Sequence, residues 1–378
     1  MHLHFFLILI LISILNCSKK KSQSHPLMSD SQEEFLEVQQ SKSLDINQNL
    51  EQSTLYLLEQ NDKIKILKSL PETSNSLEFD LPESIETPYI VETENFFYIY
   101  NVILSTNLTN IAQYNKEGKL LNTFGRKGQG PLEFTSINAL SEKDYMTYIL
   151  DNGYLKKINE NLEEVERKFL KLWANDIKIN DSSYDLRLSN NKVFPFPISN
   201  VDYRTDSINF SIEDKRPGAL NFTSSNETTF DSNENLIVYA KTTLDMVHII
   251  PKKNPSKATH LQIKSNIVRK NTSKLDKKRV NTEQFYKFMN SLFLINKLHL
   301  FDNILWISFL DRDESGTKHF LGKVNLNNLK TADGLNLEII DTSQLFTNVH
   351  FYNDYLFIPT TKIGSRKYKI TRIKLDEL

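Results

Sequence analysis

The chain has a single cysteine, Cys17, in 378 residues. One thiol excludes an internal disulfide framework, so packing and hydrogen bonding must hold the fold. A dominant charge is also missing: 46 Lys and Arg face 47 Asp and Glu, a net of −1. No overall field draws the chain to nucleic acid, and no nucleic-acid partner is expected. The eight histidines, His2, His4, His25, His248, His260, His299, His319 and His350, include no H-x-x-x-H pair, the spacing that sets two metal ligands on one helix face. No Gly-x-Ser-x-Gly elbow occurs, so no activated serine is marked. The sequence specifies no catalytic residue, no metal ligand and no cofactor. Both tryptophans, Trp173 and Trp306, sit in apolar strand contexts and read as core.

A long apolar run is absent too. Leu3 to Leu15 is nearly pure hydrocarbon, short for a bilayer span and the right length for the apolar region of a signal peptide. It stops at Cys17, and this arrangement resembles a bacterial lipoprotein signal. That resemblance implies cleavage before Cys17 and lipidation of its thiol, with two or more acyl chains giving stable anchoring. A signal anchor that is not cleaved and a plain secretory signal are the other readings. Residues 18–50 are rich in Ser, Gln, Lys and Asn and read as a flexible tether. The basic "SKKK" at 18–21 suits anionic headgroups, and the expected address is the bacterial cell envelope, facing the periplasm.

What is abundant is aromatic: 23 Phe and 15 Tyr argue against disorder beyond the tether. After residue 50 short aromatic and β-branched runs alternate with Asn, Asp and Gly, the pattern of strands joined by tight turns. "NKEGKL" at 115–120, "LDNGYL" at 150–155 and "TADGLN" at 331–336 carry hairpin signatures. One strand type recurs, an Asn or Asp followed by an apolar run, beginning at Asn95, Asp144, Asn191, Asn233, Asp302 and Asn353. These starts fall 49, 47, 42, 69 and 51 residues apart, and four of the five gaps are close to the length of one four-stranded propeller blade. Six such strands predict an all-β, six-bladed β-propeller over 51–378. Within the longest gap "NTEQFYKFMNSLFLI" has helical spacing, with Asn281 placed to cap, and predicts one short helical insertion. The final unit lacks a strand, and "TLYLLEQNDKIKILKS" at 54–69 is expected to complete it and close the ring.

The most unusual stretch is "FGRKGQGPLEF", 124–134, which holds three of only ten glycines. It is not a phosphate loop, which needs Gly-Lys-Ser/Thr and a following helix. Glycines at 125, 128 and 130 permit a sharp change of direction, and Pro131 fixes the exit. The run "IAQYNKEGKLLNTFGRKGQGPLEF" resembles the blade-ending motif of six-bladed β-propellers of NHL and TolB-like type. In that resemblance Tyr114 and Gly118 take the hairpin places, while Gly125, Gly128, Gly130, Pro131 and Phe134 take the blade-junction places. Arg126 and Lys127 either solvate the turn or reach the mouth of the axial channel, and are the weak binding candidates.

Two acidic loops mimic part of a calcium site. "DRDESG" at 311–316 has Gly322 where a bidentate Glu belongs, and a solvated hairpin loop is favoured. "DSNEN" at 231–235 shares the weakness. The basic run "KLDKKR" at 274–279 reads as a solvated loop. The expected function is a ligand- or protein-binding scaffold, the partner being a protein, peptide or glycan besides the membrane. The alternative is a metal-dependent hydrolase or lyase using the axial channel, since propellers can assemble a metal site from single residues on different blades.

Overall fold

The computed structural model describes residues 42–378 apart from several stretches, the longest being 102–109, 189–195, 217–227 and 268–283. Cys17, the signal segment and most of the tether lie outside the described residues, as do "KLDKKR", Trp173 and much of the expected helical run 281–295, whose last residues, Phe293–Ile295, instead open the strand Phe293–Phe301.

The fold is all-β and propeller-like. Three four-stranded sheets are separate: 88–92, 97–101, 111–114 and 120–124; then 139–143, 146–151, 154–158 and 164–169; and, at the C-terminus, 350–352, 355–359, 367–374 with 75–80. A fourth has 174–179, 183–188, 198–202 and 208–213, plus a fifth strand, Ser43–Asp45. Apart from the two-stranded pair 126–127 and 133–134, the other strands of the described residues form one ten-stranded sheet, in which the antiparallel meanders 228–264 and 293–341 are joined through Leu55–Gln60. Residues 139–143 lie against 174–179, and 228–232 against 293–301. First strands thus face one another at the centre.

Burial follows from this layering. The second strand Phe97–Asn101 is buried at every position, whereas the last strand of that sheet, Leu120–Phe124, is exposed except at Phe124. A strand flanked on both faces by neighbouring sheets needs apolar residues on both faces, which is why "FYIYN" and "LIVYAK" read as continuous apolar runs. Before three of the second strands the Asn or Asp has a conformational reason, and before "LIVYAK" Asn233 instead accepts the Asn235 and Leu236 N–H groups through Oδ1. Asp144, Asp302, Asn303 and Asn353 have φ of 51, 47, 60 and 48°, in the turn between first and second strands. Asn and Asp tolerate this left-handed region better than other side chains. Asn152 and Gly153, φ 43 and 89°, make the turn expected in "LDNGYL", and Gly118, φ 85°, the one in "NKEGKL". Asn191 is an exception: the second strand of its sheet is Ser183–Leu188, and 191–195 lie outside the described residues.

Closure differs from expectation in its residues. The strand that completes the C-terminal sheet is Asn75–Asp80, antiparallel to Lys367–Arg372, and not 54–69. "NSLEFD" looks too polar for a closing strand, yet it places Phe79 at 0% exposure, edge-on to Phe97 and Tyr114. The 54–69 segment does form strands, but on outer rims. Leu55–Gln60 runs parallel to His260–Lys264 and to Leu335–Leu337, and Lys65–Ile66 parallel to Ile340–Asp341. Leu55, Leu57 and Ile66 face outward, 45–54% exposed.

The tether boundary at residue 50 also moves. Ser43–Asp45 pairs with Ser211–Glu213, and a helix spans Ile46–Gln52. Asp45 Oδ1 accepts from the Asn47 and Gln48 N–H groups at its start, the capping that short polar residues supply. Ile46, 0% exposed, anchors it among Ile198, Ile212, Phe230 and Ile250. One buried isoleucine and a capping aspartate are enough to fold a segment whose composition reads as linker.

Candidate functional site

Side chains from five first strands converge at the centre of the molecule. Tyr89 comes from Pro88–Glu92, Asp176 and Lys178 from Ala174–Ile179, Asp231 from Thr228–Ser232, Lys297 from Phe293–Phe301 and His350 from His350–Tyr352. Lys297 Nζ lies 2.9 Å from His350 Nδ1, and the His350 ring stands edge-on to Tyr89 at 5.1 Å. Lys178 Nζ is 2.9 Å from Asp231 Oδ1, and Arg187 Nε is 3.6 Å from Asp176. Two of these strands carry a β-bulge immediately before the polar residue, between Ala174 and Asp176 and between Ile295 and Lys297. A bulge adds one residue against the partner strand and re-aims the next side chain.

The electrostatics are those of a desolvated polar centre, here termed the axial channel. Burial pushes the Tyr89 phenol up to about 12, with Asp176 adding to it, although 36% of the residue stays accessible. Burial drives the Lys297 ammonium down to about 8, where Asp176 opposes and Lys178 assists. His350 is held well below the ordinary histidine value by burial and by Lys297. The imidazole is therefore neutral and accepts at Nδ1 from the ammonium. Burial would raise Asp231, yet Lys178 and His299 hold it far below the usual carboxylate range. His299 Nδ1 is 2.9 Å and the Leu300 N–H 2.9 Å from its Oδ2.

At the end of Pro88–Glu92 lies Glu92, and Glu142 lies on the first strand of the following sheet, Ala139–Lys143. Burial raises Glu92, opposed by Lys116 at 2.7 Å. Tyr352 is raised by burial, then by Glu142 and Glu92, and Glu92 is itself held by Lys116 with Arg372 3.7 Å away. Among the described residues no group of three or more His, Cys, Asp or Glu is placed to hold a metal ion.

No family model and no curated protein matches the chain. Solved structures do. A candidate exported protein of Bacteroides fragilis aligns with TM-score 0.56 and 11% identity, over 85% of this chain and 99% of its own. A member of the DUF4221 family from Bacteroides vulgatus aligns with TM-score 0.52 and 12% identity, over 79% and 97%. The likeness is one of fold.

The "FGRKGQGPLEF" loop lies away from the channel, between the sheets 88–124 and 139–169. Phe134 is 0% exposed in a cluster with Tyr98, Ile111, Phe124, Leu140 and Ile149, which belong to both sheets. Lys156 Nζ sits 4.6 Å from its ring centroid and pairs with Asp151 at 3.0 Å, both buried. The loop folds on itself, with Arg126–Lys127 parallel to Glu133–Phe134. Arg167 donates to the Gln129 and Gly130 carbonyls at 2.7 and 2.9 Å, and Pro131 follows these clamped carbonyls. Gly125 has φ 86°, and a Cβ there would lie 3.1 Å from Phe134. Gly128 and Gly130 are not in the left-handed region; a Cβ on either meets the Glu133 carboxylate, at 2.2 and 3.0 Å. Arg126 is 70% exposed, 3.7 Å from Glu133, and Lys127 is exposed. Neither is among the groups that meet in the channel.

A second buried polar cluster runs outward from the ten-stranded sheet. Asp214, with no exposed side-chain surface, holds Arg216 at 2.6 Å, and the pairing keeps it down at about 2 although burial opposes. Arg216 Nη2 lies 2.5 Å from His248 Nε2, His248 Nδ1 2.6 Å from His260 Nδ1, and His260 Nε2 2.9 Å from Asn49 Oδ1. Guanidinium only donates. So His248 accepts at Nε2 and donates from Nδ1, and His260 accepts at Nδ1 and donates to Asn49. The direction of every bond is fixed, and the line ends on the helix Ile46–Gln52.

Proposed function

We propose that this chain is a cell-envelope binding scaffold: a six-bladed propeller of NHL and TolB-like type, tethered to a membrane through lipidated Cys17 and facing the periplasm. The blade count rests on reading the ten-stranded sheet as two meanders, 228–264 and 293–341, bridged by Leu55–Gln60. The exported Bacteroides protein that shares the fold supports the address. The observation that carries the binding role is the convergence of Tyr89, Asp176, Lys178, Lys297 and His350 at the axis. Groups from several rigid strands can position a ligand without any one of them being a nucleophile. What the scaffold holds is a protein, peptide or glycan carrying a group small enough for the channel.

Labelling cells with a radioactive fatty acid tests the address. Wild-type protein takes up label and fractionates with membranes, and Cys17→Ser does neither; label retained by that variant refutes the anchor. Metal analysis of protein purified without chelator tests the role. A stoichiometric divalent ion would replace the scaffold reading with that of a metal-dependent hydrolase or lyase.

A further inference from the structure

The charges in the channel do not balance. Lys178, Arg187 and Lys297 give three cations, and Asp176 and Asp231 two carboxylates, a net of +1 with Lys297 protonated. Lys178 and Arg187 each have a carboxylate within 4 Å. Lys297 has none among the described residues; its partner is the Nδ1 lone pair of His350. The other groups facing this space do not supply the missing charge. Tyr89 and Tyr100 are held as neutral phenols by burial. His319, across the sheet from Lys297, is pressed down to about 3 by burial and by Lys297. An enclosed ammonium with only a neutral acceptor is half of a charge-assisted pair. The bulge at Asn296 turns this lysine toward its partner on the neighbouring first strand.

We propose that the axial channel takes a carboxylate, with Lys297 as its ion-pair partner and the Tyr89 hydroxyl as a second donor. The proposal rests on the channel being the ligand site. A carboxylate fits better than a dianion: one negative charge neutralises the net +1 of the site, and a second would be left without a partner. The carboxylate belongs to an acidic peptide side chain, a uronic-acid sugar or a free small acid, which share this chemistry. The ligand body lies along the Tyr89 ring, an apolar wall 36% accessible.

Reductive methylation of the full-length protein with formaldehyde and cyanoborohydride, read lysine by lysine by mass spectrometry, tests this. Lys127, which is exposed, is the internal reference. Sodium acetate should slow methylation of Lys297 about tenfold relative to Lys127, the effect of about 1.4 kcal/mol of binding. Acetamide, the neutral isostere, should not, and neither should sodium chloride. Methylation of Lys297 at the same rate with and without acetate overturns the carboxylate while leaving the channel reachable. Equal protection by chloride also overturns it, because the site then takes any small anion. If Lys297 stays unmodified while Lys127 reacts, the channel is closed, and both this proposal and the binding role placed there fall.

Discussion

Acid should unfold this protein through its histidines before its carboxylates. His248, His260, His319 and His350 are all held below the ordinary histidine value by burial, His260 at about 4 and His319 at about 3. A depressed histidine is neutral in the folded state and protonates near 6.5 once unfolded. Below about pH 6.5 the unfolded chain therefore binds more protons, and stability falls as pH falls, until each folded value is reached. Each such group contributes up to about 1.4 kcal/mol per pH unit, so the four together give a limiting slope of about 5 kcal/mol per pH unit. His260 alone, shifted from 6.5 to about 4, accounts for roughly 3 kcal/mol across the window. Protonation there is resisted mechanically as well as electrostatically: His260 Nδ1 is already filled by the proton that His248 donates. Asp214, at about 2, does not titrate in this range. Against a typical total of about 5–15 kcal/mol, the protein should lose its fold between about pH 5.5 and 4. The assay is urea denaturation at stepped pH, followed by the fluorescence of Trp306, which is 1% exposed. A stability that changes by less than about 1 kcal/mol between pH 7 and 5 would refute neutral, pre-ordered histidines. A decline confined to pH below about 4 would assign the transition to carboxylates instead.

Two further outcomes follow from packing and charge. Gly125→Ala should cost about 1–3 kcal/mol, because φ is 86° and the new Cβ meets the fixed Phe134 ring. Gly128→Ala should cost less, about 0.5–1.5 kcal/mol, because the Glu133 carboxylate can swing aside and loses only its bond to the Gly130 N–H; thermal melts that rank the two the other way would show that the loop strain is misplaced. Asp231→Ala should cost about 3–5 kcal/mol by stranding Lys178, His299 and the Leu300 N–H. Lys178→Ala, whose side chain is 41% exposed, should cost about 1 kcal/mol, and equal melting temperatures for these two variants would remove Asp231 from the centre of the network.

The architecture was legible because its most repeated element has a strict local requirement. The turns into three of the second strands use left-handed residues, so Asp144, Asp302 and Asn353 mark the repeat there, while Asn233 marks its turn by accepting the Asn235 and Leu236 N–H groups. The closing strand was not, because Asn75–Asp80 buries only alternate residues and its polar ones face solvent. Segment 54–69 has the stronger strand signal and lies on the rim, where exposed leucines are tolerated. The channel could not be read at all. Tyr89, Lys178, Lys297 and His350 are far apart in sequence, none sits in a motif, and two of the strands are re-aimed by bulges that leave no compositional trace. Asp231 was visible, but inside a loop that resembles a weak calcium site rather than as the partner of His299 and Lys178.

The strands at the N-terminal end find their partners very late in the chain: Ser43 with Ser211, Leu55 with His260, Lys65 with Ile340 and Asn75 with Arg372. In a chain emerging from its N-terminus at about 5–20 residues per second, Arg372 follows Asn75 by roughly 15–60 s. Throughout that interval Asn75–Asp80, with Phe79, has no partner strand, and Leu55 and Leu57 wait until His260 has emerged, the kind of surface that chaperones hold and that neighbouring chains capture. Because such distant pairings are slow to form, ring closure is the last event in folding. A chain truncated anywhere before Lys367 has no partner for Asn75–Asp80, so the open ring itself marks an unfinished molecule for degradation.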